Sequence, residues 1–460
     1  MRVLFVSANH HYYMAIDPVV RELYSRGHEI YLATDMREKR AFTDELLRKA
    51  QVDMPNLVIR PLLKRRFLRA LARDLREVLN YSHILNHEDT RLWDVTLWGR
   101  FFKPWLWRIV STPQVRAKLK DRSLQHKLRA LEQRIPVNAA IRIEIQHINP
   151  DVVLLLPLIN PDALENEYMR AAHTLGIPTI YAMSSWDNTS TKGTFHGFPD
   201  YSFVWNNSLA DELVYQHGYP RERIYSTGTP RFSHLFSGKK QEYILPRDEF
   251  YQQAGLDQNK PYVLYVGSTF LVDSERKKAH DEGIIIREIA HALENDPETR
   301  GIDLMVRPHP FNYRYIPDLL NEKRPNVIVF PQSEGVPDTE EKIKKYNSSI
   351  YYAEAVIGVN TTAFLEVAAL DKPCITIYFD SFVETQKLPH FHHLEDAGFL
   401  ETAHNPGEVA EIVSQIIGGT DELKTKRREF AKKFLTPADS AKPSNEYFAD
   451  LVELLGLRKQ

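Results

Sequence analysis

The chain has 460 residues, with 59 lysines and arginines against 61 aspartates and glutamates, for a net charge of −2. This balance argues against a dedicated nucleic-acid binder, and the length is sufficient for two or three domains with proper cores. The single cysteine, Cys374, excludes an internal disulfide and a cysteine zinc cluster, which fits a reducing cytoplasm. No apolar run reaches the roughly 18–20 residues that span a bilayer, so we expect any membrane contact to be peripheral.

In the first half of the chain, short apolar runs alternate with amphipathic patterns. They predict helices at 18–26 and 168–174 and strands at 3–6, 29–33, 152–156, 179–182, 201–205 and 223–226. Strands that alternate with helices form right-handed βαβ units and a parallel sheet. We therefore predict a Rossmann-like domain over residues 1–235, interrupted by a helical insertion at about 62–146.

The same alternation returns after an interval at 228–260 that reads as a linker. It predicts helices at 285–293 and 407–417 and strands at 262–266, 303–306, 327–330, 355–359 and 374–378. We predict a second Rossmann-like domain over 256–435. The tail at 436–460 would hold a helix at 445–455 that packs back on the first domain, with Gly456 as its C-cap. The expected fold class is α/β, with two Rossmann-like domains facing a cleft.

Two motifs of the second domain together predict a phosphate or diphosphate pocket. An apolar strand leads into Arg307-Pro308-His309-Pro310, where proline fixes φ on both sides of the histidine. About fifty residues later a second strand leads into Thr361-Thr362, at a predicted helix N-terminus, and then Glu366. Hydroxyls and N–H groups at a helix start, together with an arginine, suit an anionic oxygen. The alternative is an ordinary strand-end turn and an N-cap.

This combination resembles the nucleotide-binding half of GT-B glycosyltransferases. It is most similar to groups that use CMP-, CDP- or UDP-activated donors to build bacterial surface polysaccharides and teichoic acids, including CDP-glycerol glycerophosphotransferases. The resemblance implies that His309, Thr361 and Thr362 bind donor phosphates and that Glu366 holds the ribose. It also implies diphosphate contacts from the loop Ser268–Thr269, after Gly267, and donor-sugar contacts near Asp380. Such enzymes need no metal, and an Asp-x-Asp motif is absent from the sequence.

The loop after the first strand carries His10 and His11. It lies where open α/β sheets place ligands, but it has no glycine-rich phosphate loop, which counts against a dinucleotide-binding enzyme. Either histidine would serve as a general base toward an acceptor hydroxyl. The alternative is that one of them packs in the core and the other is solvated.

A second polar block follows the strand at 179–182. Ser185, Trp186 and Asn188 suit the recognition of a sugar, because an aromatic ring covers a C–H face while polar groups bond hydroxyls. The block also resembles one in surface-carbohydrate transferases, which makes Asp187 another candidate base. An Asx-turn closed by Gly193 would explain the same composition.

The insertion is strongly basic, because residues 60–135 hold 18 lysines and arginines against 7 acidic residues. Its cationic stretch at 62–71 and its many tryptophans suit an anionic membrane face or a lipid-linked acceptor. The alternative is a helical subdomain whose tryptophans form its own core.

The leading hypothesis is a metal-independent, inverting glycosyltransferase of the cytoplasm, peripheral on the membrane, with a nucleotide-sugar donor and a saccharide or lipid-linked acceptor. Three alternatives stay open: a CDP-glycerol-type glycerophosphotransferase, a nucleotide-sugar epimerase, and a non-catalytic nucleotide- or carbohydrate-binding protein.

Overall fold

The chain folds as two compact units in the computed structural model. The first comprises Met1–Glu38, Asp44–Ser233 and Thr436–Gln460, and the second Lys39–Thr43 and His234–Leu435. The structure describes residues 1–9, 12–35, 44–64, 67–86, 95–160, 163–236, 238–268, 282–333, 335–379, 386 and 388–457, with the backbone only at 95–97 and 122.

Seven parallel strands form the sheet of the first unit within the described residues, in the order β3-β2-β1-β4-β5-β6-β7. They are β1 (Arg2–Ser7), β2 (Glu29–Thr34), β3 (Val58–Pro61), β4 (Val152–Leu156), β5 (Thr179–Ala182), β6 (Tyr201–Val204) and β7 (Ile224–Ser226). The order reverses between β1 and β4, which is where doubly wound sheets bind ligands at their carboxyl edge. The sequence patterns missed β3.

The helices of the first unit flank this sheet or form the insertion. They are α1 (Tyr13–Ser25), α2 (Glu45–Asp53), α3 (Arg69–Asn86), α4 (Pro104–Val110), α5 (Pro113–Leu119), α6 (Arg122–Gln133), α7 (Ala139–Ile148), α8 (Glu165–Thr174), α9 (Asn188–Thr191) and α10 (Asn207–His217), with 3-10 helices at Val95–Phe101, Arg221–Arg223 and Pro230–Phe232. The insertion runs from the end of β3 to the start of β4.

The second unit repeats the same winding with six described parallel strands, in the order β10-β9-β8-β11-β12-β13. They are β8 (Tyr262–Val266), β9 (Asp303–Arg307), β10 (Val327–Val329), β11 (Val356–Gly358), β12 (Cys374–Ile377) and β13 (Leu400–Ala403). The order reverses between β8 and β11. The apolar core lies against this sheet and includes Val263, Ile289, Leu304, Ile357 and Ile375. The sequence patterns missed β13.

Several helices of the second unit fall outside the sequence predictions. Those with described bounds are α11 (Ser233–Phe236, at the boundary), α12 (Arg247–Ala254), α13 (Glu282–Asn295), α14 (Ile316–Glu322), α15 (Glu340–Tyr351), α16 (Ala363–Ala369), α17 (His392–Ala397), α18 (Pro406–Ile417) and α19 (Lys424–Leu435), with 3-10 helices at Lys240–Tyr243 and Pro389–Phe391. The interval interpreted as a linker therefore contains α12.

The last helix, α20 (Ser444–Leu457), packs in the core of the first unit through Phe448, Val452 and Leu455. Gly456 lies inside this helix, so its predicted role as a C-cap was wrong. A Cβ atom on Gly456 would meet the side chains of Met1 and Val152. The helix therefore lies close to the first strands, and a larger residue at 456 would require the flexible end of the Met1 side chain to move.

Across the described part of the chain, every helix is too short or too polar to span a bilayer.

Candidate functional site

The carboxyl edge of the second sheet brings together motifs that are far apart in sequence. Arg307 of β9 pairs with Val266 of β8, Val266 with Gly358 of β11, and Gly358 with Thr376 of β12. Adjacent strands lie about 4.8 Å apart, so the loops that follow these residues are neighbours. The strand order reverses at this point, between β8 and β11. The predicted phosphate-binding motifs therefore leave the sheet side by side at its switch point.

His309 is held as a neutral hydrogen-bond donor. The backbone N–H of Phe311 donates to its Nδ1 at 3.1 Å, and the Phe311 ring lies 5.6 Å from the imidazole. Burial lowers the pKa of His309 to about 4, because a charged imidazolium would lose its hydration. With Nδ1 acting as the acceptor, the ring proton sits on Nε2. His309 therefore presents an N–H group that suits a phosphate oxygen.

Arg307 and Glu366 are joined through a tyrosine on α15. The Arg307 guanidinium lies 4.7 Å from the centre of the Tyr346 ring, and the Tyr346 hydroxyl donates to Glu366 Oε2 at 2.9 Å. Both charged residues are buried. The aromatic ring fixes the direction of the guanidinium, which suits it to an anionic ligand. The predicted phosphate contact and the predicted ribose contact thus belong to one connected group.

Thr361 and Thr362 lie half-buried at the start of α16. The Thr361 Oγ1 accepts a hydrogen bond from the N–H of Ala363 at 3.2 Å, whereas the Thr362 side chain makes no capping bond. The hydroxyl of Thr361 is therefore partly committed to the local turn. Because α16 has only seven residues, the partial charge at its N-terminus is smaller than the full charge of Arg307.

The Gly267–Ser268 loop packs directly against the His309 turn. The N–H of Gly267 donates to the carbonyl of Arg307 at 2.8 Å. A Cβ atom on Gly267 would lie 2.8 Å from the backbone nitrogen of His309 and 2.8 Å from the Tyr315 hydroxyl, so only glycine fits. The buried Ser268 Oγ has no hydrogen-bond partner among the described residues. Thr269, the other residue predicted for this loop, lies outside them, as does Asp380.

Glu282, at the first turn of α13, is a residue that the sequence predictions missed. It is fully buried, and its Oε1 accepts hydrogen bonds from the N–H of Ser268 at 2.8 Å and from the Tyr265 hydroxyl at 3.0 Å. Burial raises the pKa of Glu282 to about 7, against the opposing effect of its hydrogen bonds. The only sequence signal was a glutamate at a helix start, which is common on protein surfaces.

In the first unit, the polar block around Trp186 is mostly internal. Trp186 is only 2% exposed, so its ring offers no face to a sugar in this structure. The Asn188 Oδ1 accepts hydrogen bonds from the N–H of Ser185 at 3.0 Å and from the Ser184 hydroxyl at 3.1 Å. These contacts are internal to the loop, but they differ from an Asx-turn closed by Gly193, because both donors precede Asn188 and the N–H of Gly193 donates to the carbonyl of Ile159.

Asp187 is one of two members of this block that are partly exposed, the other being Ser185. Its Oδ2 lies 2.9 Å from the Lys192 ammonium, and both side chains are partly exposed. The ion pair compensates the carboxylate charge, and the Asp187 side chain stays partly exposed. His10 and His11, the other predicted bases, lie outside the described residues.

Buried polar residues that were not predicted also lie at the carboxyl edge of the first sheet. Asn160 Nδ2 donates to the Tyr12 hydroxyl at 2.8 Å, and Glu165, fully buried, accepts a hydrogen bond from the N–H of Ala8. Burial raises the pKa of Tyr12 well above its usual range, and the charges of Glu165 and Asp187 add to the effect. The phenol therefore stays protonated, and these side chains share one polar environment.

The insertion combines a core of its own with an exposed apolar and cationic face. Trp98 is buried, and Trp107 packs edge-on against Tyr81 with ring centres 5.4 Å apart. In contrast, Trp105 is 56% exposed and Phe67 is 72% exposed. Further exposed residues nearby in sequence are Arg69, Leu71, Arg108 and Ile109. The insertion thus has features of both interpretations, with tryptophans in its core and on its surface.

Within the described residues, the His, Cys, Asp and Glu side chains form no group of three or more that would hold a metal ion.

Comparison with solved structures identifies proteins of the same architecture over the whole chain. UDP-GlcNAc 2-epimerase from Neisseria meningitidis, bound to UDP-GlcNAc, is 14% identical with a TM-score of 0.52, covering 100% of each chain. UDP-GlcNAc 2-epimerase from Methanocaldococcus jannaschii, in complex with UDP-GlcNAc and UDP, is 11% identical with a TM-score of 0.53, covering 99% of this chain and 100% of that one. A glycosyltransferase from Rickettsia africae is 11% identical with a TM-score of 0.53, covering 100% and 99%.

The fold is GT-B, with two Rossmann-like domains. Comparison of the sequence with family models and with curated proteins gives no match.

Proposed function

We propose that the protein is a glycosyltransferase that moves a sugar from a nucleotide-activated donor to a saccharide or lipid-linked acceptor. The observation that carries the proposal is the convergence of Arg307, His309 and Glu366 at the switch point of the second sheet. A buried arginine beside a neutral histidine donor suits a diphosphate. A carboxylate oriented by a tyrosine suits the hydroxyls of a ribose.

In this proposal the second unit stabilises the leaving group. As the glycosidic bond to the donor breaks, negative charge grows on the diphosphate, and Arg307 and the His309 Nε2–H group bind it more strongly. Neither group has to change its protonation state during the step, because the pKa of His309 is lowered to about 4. This arrangement stabilises the charge without a metal ion.

The acceptor side of the proposal depends on a base from the first unit. Asp187 is the described candidate, and His10 and His11 are the others. Whichever acts, it removes the proton of the acceptor hydroxyl while that oxygen attacks the anomeric carbon. Direct displacement inverts the configuration at that carbon.

Uridine nucleotides are the first donors to test, because the solved structures of this fold from Neisseria meningitidis and Methanocaldococcus jannaschii hold UDP-GlcNAc. These two proteins are epimerases, which makes a nucleotide-sugar epimerase the second candidate function. An epimerase needs no separate acceptor, whereas a transferase does. A CDP-glycerol-type transferase would use the same Arg307–His309 edge with a different donor.

One incubation separates these functions. The protein is mixed with UDP-GlcNAc, first alone and then with a set of saccharide and lipid-linked acceptors, and proton NMR follows the sugar resonances. Release of UDP only in the presence of an acceptor supports the transferase. A change of sugar configuration without an acceptor contradicts it and establishes the epimerase. The Arg307→Ala variant is the control for contaminating activity, because it removes the principal charge of the pocket.

We also propose that the insertion holds the protein against an anionic membrane on the cytoplasmic side, where a lipid-linked acceptor would be found. Exposed Trp105 and Ile109 lie one helical turn apart on α4, next to the exposed cation Arg108. Interfacial aromatics with cations bind anionic bilayers. Trp105→Ala should weaken sedimentation with vesicles of phosphatidylglycerol and phosphatidylcholine, whereas Tyr215→Ala, an exposed aromatic of α10, should not. Equal binding by both variants would contradict the assignment.

A further inference from the structure

Glu282 has an unusual position for a carboxylate. It is fully buried, and the partners that its oxygens contact are neutral groups. Glu282 has no cationic partner among the described residues, and burying a charge in this way is costly, so the hydrogen bonds to its oxygens have to offset that cost. Glu282 is not among the groups proposed above to contact the nucleotide.

Hydrogen-bond donors converge on both oxygens of Glu282. The N–H of Ser268 and the hydroxyl of Tyr265 donate to Oε1 at 2.8 and 3.0 Å. Asn312 Nδ2 donates to Oε2 at 3.2 Å. An ionised carboxylate accepts all three of these bonds, whereas a protonated carboxyl must itself donate, which requires a neighbouring hydroxyl such as that of Tyr265 to turn and accept.

Asn312 extends this contact to the His309 turn. Its Nδ2 also donates to the carbonyl of Ser268 at 3.3 Å, and its backbone N–H donates to the carbonyl of His309 at 2.8 Å. The loop after β8 and the turn after β9 are therefore both bonded, directly or through Asn312, to one buried carboxylate. Both segments carry groups of the proposed diphosphate site.

We infer that Glu282 is a positioning residue, which as an acceptor-only carboxylate holds the Ser268 loop and the His309 turn in the arrangement that binds the donor diphosphate. The inference rests on the proposed function only for the identity of the ligand, a donor diphosphate. That Glu282 connects the two segments follows from the hydrogen bonds alone. Protonation of Glu282, or its replacement by glutamine, adds a donor to a group that otherwise only accepts, so that at least one of these hydrogen bonds is lost or reoriented and the hold on the two segments weakens.

Nucleotide binding should consequently depend on pH near neutrality. Burial raises the pKa of Glu282 to about 7, so the ionised fraction grows as the pH rises from 6 to 8. Among the described residues, the titratable groups that face it are the hydroxyls of Tyr265 and Tyr315. Burial keeps the pKa of Tyr265 well above its usual range, so it remains a donor throughout. Affinity is therefore expected to increase as the pH rises through about 7.

The test is calorimetric titration with UDP-GlcNAc between pH 5.5 and 8.5. This ligand is preferred to UDP because its diphosphate is esterified at both ends, whereas a terminal phosphate has a pKa near 6 that would confuse the profile. Wild-type affinity should rise roughly tenfold across this range, as expected for the repair of hydrogen bonds to a charged group. Glu282→Gln should stay at the low-pH affinity throughout. Glu288→Gln, the same change at an exposed position of α13, should follow the wild type.

Amide hydrogen exchange without ligand tests the positioning role independently of the nucleotide. The Ser268 amide, which donates to Glu282, should lose roughly tenfold or more of its protection in Glu282→Gln and none in Glu288→Gln. If the wild type does not bind UDP-GlcNAc but the exchange result holds, this donor fails and the positioning role stands. Unchanged Ser268 protection in Glu282→Gln overturns the inference.

Tyr265→Phe provides a second variant if Glu282→Gln does not fold. It keeps the carboxylate and removes one donor to its ionised form, so the pKa of Glu282 should rise further. The midpoint of the pH profile, read from Ser268 exchange, should then move to higher pH. An unmoved midpoint would overturn the inference.

Discussion

The two sheets can be compared at their carboxyl edges. In the first unit the loop after β1 is bonded to buried Glu165 through the N–H of Ala8, and in the second unit the loop after β8 is bonded to buried Glu282 through the N–H of Ser268. Beyond this shared device the edges differ. The second edge presents Arg307 and the donor nitrogen of His309, whereas much of the polar block of the first is turned inward.

The difference shows that polar and aromatic residues at the carboxyl edge of a sheet do not always face a ligand. Trp186 and Asn188 are almost completely buried, and the Asn188 side chain is hydrogen-bonded within its own loop. The Arg307 guanidinium lies over the Tyr346 ring and the His309 Nδ1 accepts from the N–H of Phe311, and the two side chains offer the charge and the N–H donor that an anionic ligand needs. We therefore assign nucleotide binding to the second edge and mainly structural work to the Trp186 block of the first. The predictions below would break or sharpen this division.

The largest expected effect is on stability. Trp186→Ala should lower the free energy of unfolding of the first unit by about 3–5 kcal/mol, because it removes a fully buried aromatic side chain. Under conditions in which the variant is fully folded, its nucleotide affinity should change less than about threefold. Chemical denaturation followed by nucleotide titration of the folded fraction checks both statements. A stable variant that has lost affinity would contradict the structural assignment.

Arg307→Ala should have the largest effect on binding. It removes the buried guanidinium that lies over Tyr346 and costs an estimated 2–3 kcal/mol of nucleotide affinity, or about 30- to 150-fold. Arg307→Lys should recover only part of this, because an ammonium lacks the planar fork of donors. Circular dichroism establishes that the variants are folded, and calorimetry gives their affinities. Full recovery by lysine would mean that charge alone is recognised.

Tyr346→Phe should have the smallest effect and the most selective one. It keeps the ring beneath Arg307 and removes the hydroxyl that donates to Glu366. A loss of about 1 kcal/mol, or about fivefold, is expected for UDP. Inorganic pyrophosphate, which has no ribose, should bind equally well to both proteins. A similar loss for both ligands would mean that Glu366 does not hold a ribose.

The sequence predicts the fold well and the site only in part. The buried strands read directly as apolar runs, since a parallel strand is covered on both faces. The strands β3 and β13 were missed because their exposed or polar residues, such as Arg60 and Glu401, break the apolar pattern. The Arg307–His309 motif was found because proline and charge at a strand end are unusual.

The remaining site residues could not be found in the same way. Glu282 and Glu165 are ordinary glutamates in sequence, and their importance comes from burial, which depends on contacts with distant strands. The burial of Trp186 likewise results from packing that its local sequence does not show. Tertiary packing, rather than local pattern, decides which polar residues face a ligand.

The most direct test of the account is calorimetric titration of the wild type and His309→Ala with UDP, CDP, CMP, GDP and ADP. The account predicts that one nucleotide class binds the wild type and that His309→Ala weakens it by about 10- to 100-fold, since a hydrogen bond to a charged group is lost. The ratio of the two affinities should stay constant from pH 5.5 to 8, because His309, with its pKa lowered to about 4, is already neutral. His291→Ala, an exposed histidine of α13, should behave as the wild type. Absence of binding by every nucleotide, or equal binding by wild type and His309→Ala, would contradict the assignment of the second edge as the donor site.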